Sequence, residues 1–414
     1  MTVTYDTPSA DDLEELCLVD ARNFGAPLRA VDLDRARNLL ELDRFVVARD
    51  HGAIVAVAGS YRLELTVAGG GRLPMSGLAW VSVTATHRRQ GINRRLLSLM
   101  ADQAAARGEP ILGLTASEGG IYERFGYGAA TWRRSVVIDR RRVELAAPFR
   151  PEPGGVTIVE PRSSLDRFLA VFERYRRRQP GEINRPRGLF EWYLPEPGEA
   201  QLLAGASHED GFAIWTVDQN WAEGDPAHRM QVLDLIAVTP QAHRALWHTV
   251  LSTDLVGEIR TRTAVAPDDP LPFFLTDPRA LRTEALADHL WLKVIDPVAA
   301  FAARSYRTDD TLVIGVDPGG DLDPAGAAGT GHHATTRTPA AFRVGSRGNT
   351  VEVEPSTEPP DVTAAPSALG PLLLGGVSAS ALAAGGRLRA ERAVLDRAGA
   401  FFGVDPLPHC RSGF

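Results

Sequence analysis

Residues able to hold a phosphate or move a proton gather in two short stretches of the first third of the sequence. The first, Trp80–Leu97, reads as a β-strand that passes through a loop into a helix, with a single glycine, Gly91, at the helix start. Backbone N–H groups in a first helical turn are unpaired and the helix dipole adds partial positive charge, so a diphosphate gains several hydrogen bonds there without any side chain. Gly91 permits close approach, and Arg88, Arg89 and Arg94 can neutralise phosphate charge. Arg-x-x-Gly alone describes an ordinary helix start with solvated arginines equally well. It is neither a Walker loop, since no Gly-Lys-Ser/Thr follows, nor a dinucleotide fingerprint, since Gly-x-Gly-x-x-Gly is missing. The second stretch, Ser117–Gly128, carries two tyrosines, Tyr122 and Tyr127, among glycines. Elsewhere the chemistry is thinner. His332-His333 lies in a Gly/Thr-rich loop and reads as solvated, His409-Cys410 lacks an evident partner and reads as packing, and His87 reads as a structural contact. No spacing supports a zinc or iron site.

The elements that must position these stretches follow from periodicity. Ser9 offers an N-cap for a helix to about Asn23, with Leu13, Leu16 and Val19 at helical spacing. A second helix is expected over Leu33–Leu42. Arg44–Arg49 and Ala53–Val67 form a hairpin, Leu73–Thr84 a strand, and the helix after Gly91 ends at Gly108. Ile111–Ala116 is a buried strand, Gly119–Phe125 a short helix and Tyr127–Asp139 a last strand. The result is a mixed α/β sheet with one helix leaving a central strand. Pro151–Gly155 has linker composition. Beyond it, strand Val156–Val159, helix Ser163–Arg178 and strand Met230–Val238 open a second unit, in which Val83-Thr-Ala-Thr-His-Arg88 recurs faintly as Val238-Thr-Pro-Gln-Ala-His-Arg244. A third unit from Pro297 has strands Thr311–Val316, Ala341–Gly345 and Thr350–Glu354, then helices, an α+β order.

A length of 414 residues exceeds what one core usually organises. The net charge of −7 and a pI near 5.9 argue against a nucleic-acid surface and mildly favour cationic substrates. Two cysteines, Cys17 and Cys410, build no disulfide framework, so a reducing, cytoplasmic setting is expected. Neither a secretory signal nor an apolar run long enough to span a bilayer is evident.

The pattern Arg88-x-x-Gly91-x-Asn93 after a strand ending Val-x-Val-Thr resembles the pyrophosphate loop of the GNAT N-acetyltransferases, with Asn93 where Gly or Ala is usual. Together, Thr-His-Arg-Arg-Gln-Gly91 and Ala-Ser-Glu-Gly-Gly-Ile-Tyr-x-Arg-Phe-Gly-Tyr-Gly128 resemble the enhanced-intracellular-survival (Eis) acetyltransferases of actinobacteria. The resemblance implies a catalytic GNAT domain over 1–150, a degenerate GNAT-like domain over 151–296 and a sterol-carrier-protein-like α+β domain over 297–414. It implies acetyl-CoA as co-substrate, with no metal. Val81, Ser82 and Val83 would pair with the pantetheine arm, Arg89, Gln90, Gly91, Ile92, Asn93 and Arg94 would surround the pyrophosphate, and Ser117 and Glu118 would lie beside the cofactor. Tyr122, rather than Tyr127, would be the acid that protonates the departing thiolate. The carboxylate of Phe414 would take the proton of the amine. One cofactor site per chain is expected, because the second unit lacks the glycine loop.

The resemblance further implies broad aminoglycoside acceptors, lysine side chains as another acceptor class, and a homohexamer. A polycationic acceptor calls for carboxylates. The stretches Gly25-Ala26 and Ser412-Gly413 supply none, which leaves Asp20, Glu64 and Glu118. A non-catalytic protein holding an apolar ligand in its sterol-carrier-like part is the alternative of another class.

Overall fold

The structure, a computed structural model, describes residues 3–195, 202–317 and 340–414. Strand β1 (Thr4–Asp6) leads into α1 (Leu13–Phe24), whose start is fixed by Ser9 N–H donating to the Asp12 carboxylate at 2.7 Å and whose end is a left-handed Gly25. Helix α2 (Ala30–Leu39) begins earlier than the expected Leu33, because the Arg29 N–H and Nε both donate to the Asp32 carboxylate at 3.0 Å and fix the first turn. Strands β2 (Phe45–Asp50), β3 (Ala53–Thr66) and β4 (Arg72–Val83) follow as an antiparallel meander. Helix α3 (Ile92–Ala106) then crosses to β5 (Ile111–Thr115), parallel to β4, and a short β6 (Gly128–Ala129) comes later. Alternation along the strands sends Phe45, Val47 and Val57 to the face that α1 covers with Leu13, Leu16, Cys17 and Val19. The same alternation sends Val46, Ala48, Leu78 and Leu112 to the face that α3 covers with Ile92, Leu96, Leu97 and Met100. Gly119–Phe125 is not a helix. Only the turn Glu123–Phe125 is helical, since Gly119-Gly120 gives up too much backbone freedom to begin one.

Two residues after β6 the chain joins another sheet. It contains β7 (Trp132–Asp139), β8 (Thr157–Val159), β9 (Leu202–His208), β10 (Gly211–Asp218), β13 (His228–Ala237), β14 (Val256–Val265) and β15 (Leu281–Asp288), in the order β15-β7-β14-β13-β10-β9-β8. A small ribbon of β11 (Trp221–Ala222) and β12 (Asp225–Pro226) lies apart. Helices α4 (Leu165–Arg176), α5 (Arg187–Tyr193), α6 (Pro240–Leu251) and α7 (Leu271–Phe274) complete this unit. Its β13-α6-β14 crossover joins parallel strands as β4-α3-β5 does, so the faint repeat at Val83 and Val238 marks equivalent junctions. The strand expected over Tyr127–Asp139 is therefore two strands in two sheets.

Strand β16 (Leu290–Val294) then returns to the first sheet and pairs antiparallel with both β5 and β6, giving β1-β2-β3-β4-β5-β16-β6. Beyond it, α8 (Pro297–Ala302), β17 (Asp310–Val316), β18 (Ala341–Arg347), β19 (Thr350–Pro355), β20 (Val362–Ala364), α9 (Pro366–Leu374), α10 (Ala379–Ala384), β21 (Leu388–Arg389) and α11 (Arg392–Phe402) build a five-stranded sheet with helices. Residues up to Ala130, Leu290–Asp405 and Phe414 form one compact unit, while Thr131–His289 and Pro406–Gly413 form the other. The sheets thus exchange the chain at Ala130 and His289, whereas composition pointed to the Pro/Gly stretch at 151–155 and to Pro297. Within the first unit α9 lies hard against the sheet. A Cβ on Gly128 would stand 1.8 Å from the Ser367 carbonyl oxygen, and one on Gly370 would stand 2.7 Å from Leu292 Cβ. Arg304, 2% exposed, donates to the carbonyls of Leu372, Leu373 and Phe402 and so closes the ends of α9 and α11.

Candidate active site

Strands β4 and β5 pair at only three positions, Met75 with Ile111, Ser76 with Leu112 and Gly77 with Gly113, although both continue beyond. A bulge redirects β4. Val57 faces Ser82 and Gly59 faces Ala79, so Trp80 and Val81 stand opposite the single residue Ala58. Trp80 takes φ 58°, a left-handed conformation that costs a bulky residue ~1–3 kcal/mol. Its indole N–H donates to the Tyr61 hydroxyl at 2.8 Å, and its ring meets Phe45 edge-on at 6.2 Å, which holds the strained form. Beyond Gly77 and Gly113 the two strands are no longer paired. Past the bulge Val81 and Val83 pack on the α3 side, while Ser82 approaches Asp20 of α1.

The loop from β4 to α3 is built to face outwards. His87 ties it to the β2–β3 hairpin through a 3.2 Å contact with Asp50 and a 2.9 Å contact with the Thr86 hydroxyl, the structural role expected of it. Arg89 (φ 63°) and Gly91 (φ 81°) are both left-handed, turning the chain so that Arg88, Arg89, Gln90 and Gly91 are exposed. Gly91 caps α3 without any side-chain bond, and a Cβ there would meet open space. Ile92 is buried and anchors the turn, Arg94 is exposed, and the Asn93 Oδ1 is buried without a hydrogen-bond partner among the described residues. An open first turn ringed by arginines suits a diphosphate. The second unit differs at the equivalent place. Thr239 caps α6 by accepting from Ala242 N–H at 3.3 Å, and Pro240 replaces an N–H donor. Further along, the Thr263 carbonyl of β14 is taken by His409 Nε2 at 2.8 Å and by Arg411 at 3.1 Å.

Ser117 and Glu118 are exposed on the loop after β5. Tyr122, half-buried, follows on that loop, and its ring meets Tyr127 edge-on at 5.9 Å. Burial, then the Glu118 charge, raises the Tyr122 pKa, so the phenol keeps its proton. Tyr127 is 1% exposed and burial raises its pKa further; it belongs to the core. The turn bearing Tyr122 is gripped through Glu123 by Arg387, which precedes β21.

Phe414 sits where β4 and β5 separate. The Thr115 hydroxyl donates to its terminal oxygen at 3.3 Å, and its ring occupies the space over Gly77, where any Cβ would stand 3.1 Å from it. Neither Thr115 nor Gly77 was singled out in the sequence, and the only signal for Gly77 was a glycine within a strand.

Among the acids weighed for the acceptor, Glu64 lies 3.6 Å from Arg72 and Glu118 is exposed, while Asp20 turns inward. Cys410 is buried, and burial with the nearby Glu182 charge pushes its thiol pKa up, the reverse of an activated nucleophile. Burial lowers the His409 pKa to about 3. His332-His333 lies outside the described residues. Among the described residues no group of His, Cys, Asp and Glu could hold a metal, and no helix is long and apolar enough to cross a membrane.

Comparison with known proteins agrees with this geometry. Residues 4–130 and 181–294 each match an acetyltransferase (GNAT) domain family, and residues 279–411 match the sterol carrier protein domain. The chain is 35% identical to the N-acetyltransferase Eis of Mycobacterium tuberculosis over 414 residues, 96% of each protein. It is also 35% identical to an uncharacterized N-acetyltransferase of Streptomyces avermitilis, over 84% of this chain and 83% of that one. The crystal structure of Eis1 from Mycobacterium abscessus superposes with a TM-score of 0.85 at 30% identity, covering all of both chains. A GCN5-related N-acetyltransferase from Anabaena variabilis, at 0.83 and 16% identity over all of both chains, shares the fold.

Proposed function

This chain belongs to the Eis family of GNAT N-acetyltransferases, and from that premise we propose that it transfers acetyl from acetyl-CoA to primary amines, aminoglycosides among them, by direct attack in a ternary complex. The observation that carries the reading is the terminal oxygen of Phe414 held by Thr115 in the gap between β4 and β5. Bound acetyl-CoA supplies an acyl group on a thioester, whose carbonyl carbon accepts the amine. Val81, Ser82 and Val83 offer their backbone to the pantetheine arm. Arg89, Gln90, Gly91, Ile92, Asn93 and Arg94 hold the pyrophosphate with first-turn N–H groups and guanidinium charge, and Ser117 and Glu118 border the cofactor on the β5 side.

The Phe414 carboxylate takes a proton from the acceptor ammonium, directly or through water. The freed nitrogen forms the C–N bond to the thioester carbon, the C–S bond breaks, and the Tyr122 hydroxyl gives its proton to the departing sulfur, while the surplus proton on the nitrogen passes through water to the Tyr122 oxygen and leaves a neutral amide. The raised pKa of Tyr122 fits an acid that stays protonated until charge develops beside it. The three-part division 1–150, 151–296 and 297–414, a cytoplasmic setting and a homohexamer belong to the same reading.

Thiol release from acetyl-CoA, measured with aminoglycosides, lysine peptides and simple amines, tests it. The intact chain should release coenzyme A only with an amine present, and both Tyr122→Phe and a version extended past Phe414 should be crippled. Amine-independent release, or full activity in the extended chain, would sink the proposal. A lysine peptide outperforming every aminoglycoside would move the acceptor to protein lysines.

A further inference from the structure

Tyr122 stands on a stretch of chain with little regular structure of its own. The loop after β5 holds one helical turn, Glu123–Phe125, and the strand that follows, β6, is two residues long. Hydrogen bonds in the turn are local. Phe125 N–H donates to the Tyr122 carbonyl at 3.0 Å, and Gly126 N–H donates to the Glu123 carbonyl at 2.8 Å. A single turn does not persist on its own bonds, because helix nucleation costs more backbone freedom than one bond returns. A proton donor, however, must be kept within hydrogen-bond reach of the atom it serves. The turn therefore needs support from outside.

That support comes from the part of the chain that matches the sterol carrier protein domain, within the same compact unit. Gly126 has φ 84° and lies against the start of α9, so that a Cβ on it would stand 3.2 Å from Pro366 Cβ. Arg387, 264 residues beyond Glu123, donates through Nε to the Glu123 carboxylate and through a terminal nitrogen to the Gly385 carbonyl at 2.8 Å. Its backbone is tied as well. Arg387 N–H donates to the Leu382 carbonyl at 2.8 Å, and its carbonyl accepts from Ala365 N–H at 2.9 Å. Ala365 immediately precedes α9, so the residue that grips Glu123 is bonded directly to the helix that backs Gly126. An exposed ion pair of two free side chains contributes little. Here the side chains are only 19% and 30% exposed, and the guanidinium is already oriented by Gly385.

We propose that Arg387 is a positioning residue for acetyl transfer: through Glu123, with Pro366 behind Gly126, it holds Tyr122 where its hydroxyl reaches the departing sulfur. The sterol-carrier-like region is in this way a working part of the acetyltransferase site. The inference rests on the reading of Tyr122 as the acid. Arg387 itself touches neither co-substrate nor amine. Its contribution passes entirely through the turn, so it vanishes when Tyr122 has no proton to give.

The test uses the full chain with Arg387→Ala, Arg387→Lys, Tyr122→Phe and the Arg387→Ala/Tyr122→Phe pair. Neomycin serves as the amine in steady-state kinetics, and amide hydrogen exchange is followed without any substrate. Arg387→Ala should lower kcat about ten- to a hundredfold, the scale of a slightly misplaced catalytic group, and leave the KM for acetyl-CoA unchanged. Arg387→Lys, which keeps the charge but not the fork, should recover part of the loss. Exchange at the Phe125 and Gly126 amides should quicken about tenfold in Arg387→Ala, with α3 unaffected. In the Tyr122→Phe background Arg387→Ala should cost nothing further. The same loss in both backgrounds, or exchange at Phe125 and Gly126 that Arg387→Ala leaves unchanged, overturns the proposal. If exchange quickens while Tyr122→Phe is as active as the intact chain, the brace stands and the reading of Tyr122 as the acid falls.

Discussion

Replacing Asp20 by Asn should stabilise the protein at neutral pH and lose that effect in acid. Burial raises the Asp20 pKa from 3.8 to about 6, while the approach of Ser82 lowers it only in part. A group with a raised folded pKa prefers to fold protonated. Its folded form is therefore unpenalised below pH 3.8, and stability declines as pH rises through about 6. About two pKa units at 1.36 kcal/mol each give a penalty of ~3 kcal/mol once the carboxylate is fully ionised. Asn carries no charge, so the variant should gain up to ~3 kcal/mol at about pH 8, roughly half of that at about pH 5, and almost nothing near pH 4. Urea unfolding of both proteins across this range, without amines, measures the difference directly. A variant less stable at pH 8, or a gain independent of pH, would refute the idea that the carboxylate is buried without a partner.

Three further outcomes follow from the described geometry. Tyr122→Phe should lower kcat by ~10²–10⁴-fold in folded protein, the usual weight of a general acid. Tyr127→Phe should act mainly on stability, since its ring is in the core; equal losses of kcat in steady-state kinetics would undo that assignment. Arg304→Ala should destabilise the first unit by at least ~3 kcal/mol in chemical denaturation, because the carbonyls of Leu372, Leu373 and Phe402 lose their donors together. Calorimetry with coenzyme A should find one site per chain, since α6 is already capped by Thr239 and the Thr263 carbonyl is engaged by His409 and Arg411. A second site would contradict this.

The parts of the site that depend on local chemistry were readable from the residues. The strand into Gly91 and the arginines around it appear where period and composition put them, because strand alternation and helix starts are short-range effects, whereas the helix expected over Gly119–Phe125 is a loop with one helical turn at Glu123–Phe125. Trp80 shows the limit. Nothing in its type announces a left-handed φ, which exists only because Tyr61 and Phe45 hold the ring. Strand partners were also hidden. Tyr127–Asp139 reads as one strand yet divides between two sheets, Leu290–Val294 was not singled out at all, and the choice of sheet depends on neighbours far away in sequence. The chain changes sheets at Ala130-Thr131, while the Pro/Gly stretch at 151–155 lies within one unit. His409-Cys410 reads as packing in the sequence, and both residues are buried.

The return of β16 to a place between β5 and β6 gives the first sheet an unusual birth order. During synthesis β5 leaves the ribosome as a bare edge, and the strand that covers it arrives only after Thr131–His289 has been made. At ~5–20 residues per second, that edge waits on the order of ten seconds or more. Val-, Ile- and Leu-rich edges left open for such times recruit foreign strands. A fragment stopped before Leu290 would keep the edge open permanently. Expression of the first GNAT segment alone should therefore yield aggregates, and a chain that stalls anywhere in the long middle segment would leave a nascent product in need of a chaperone.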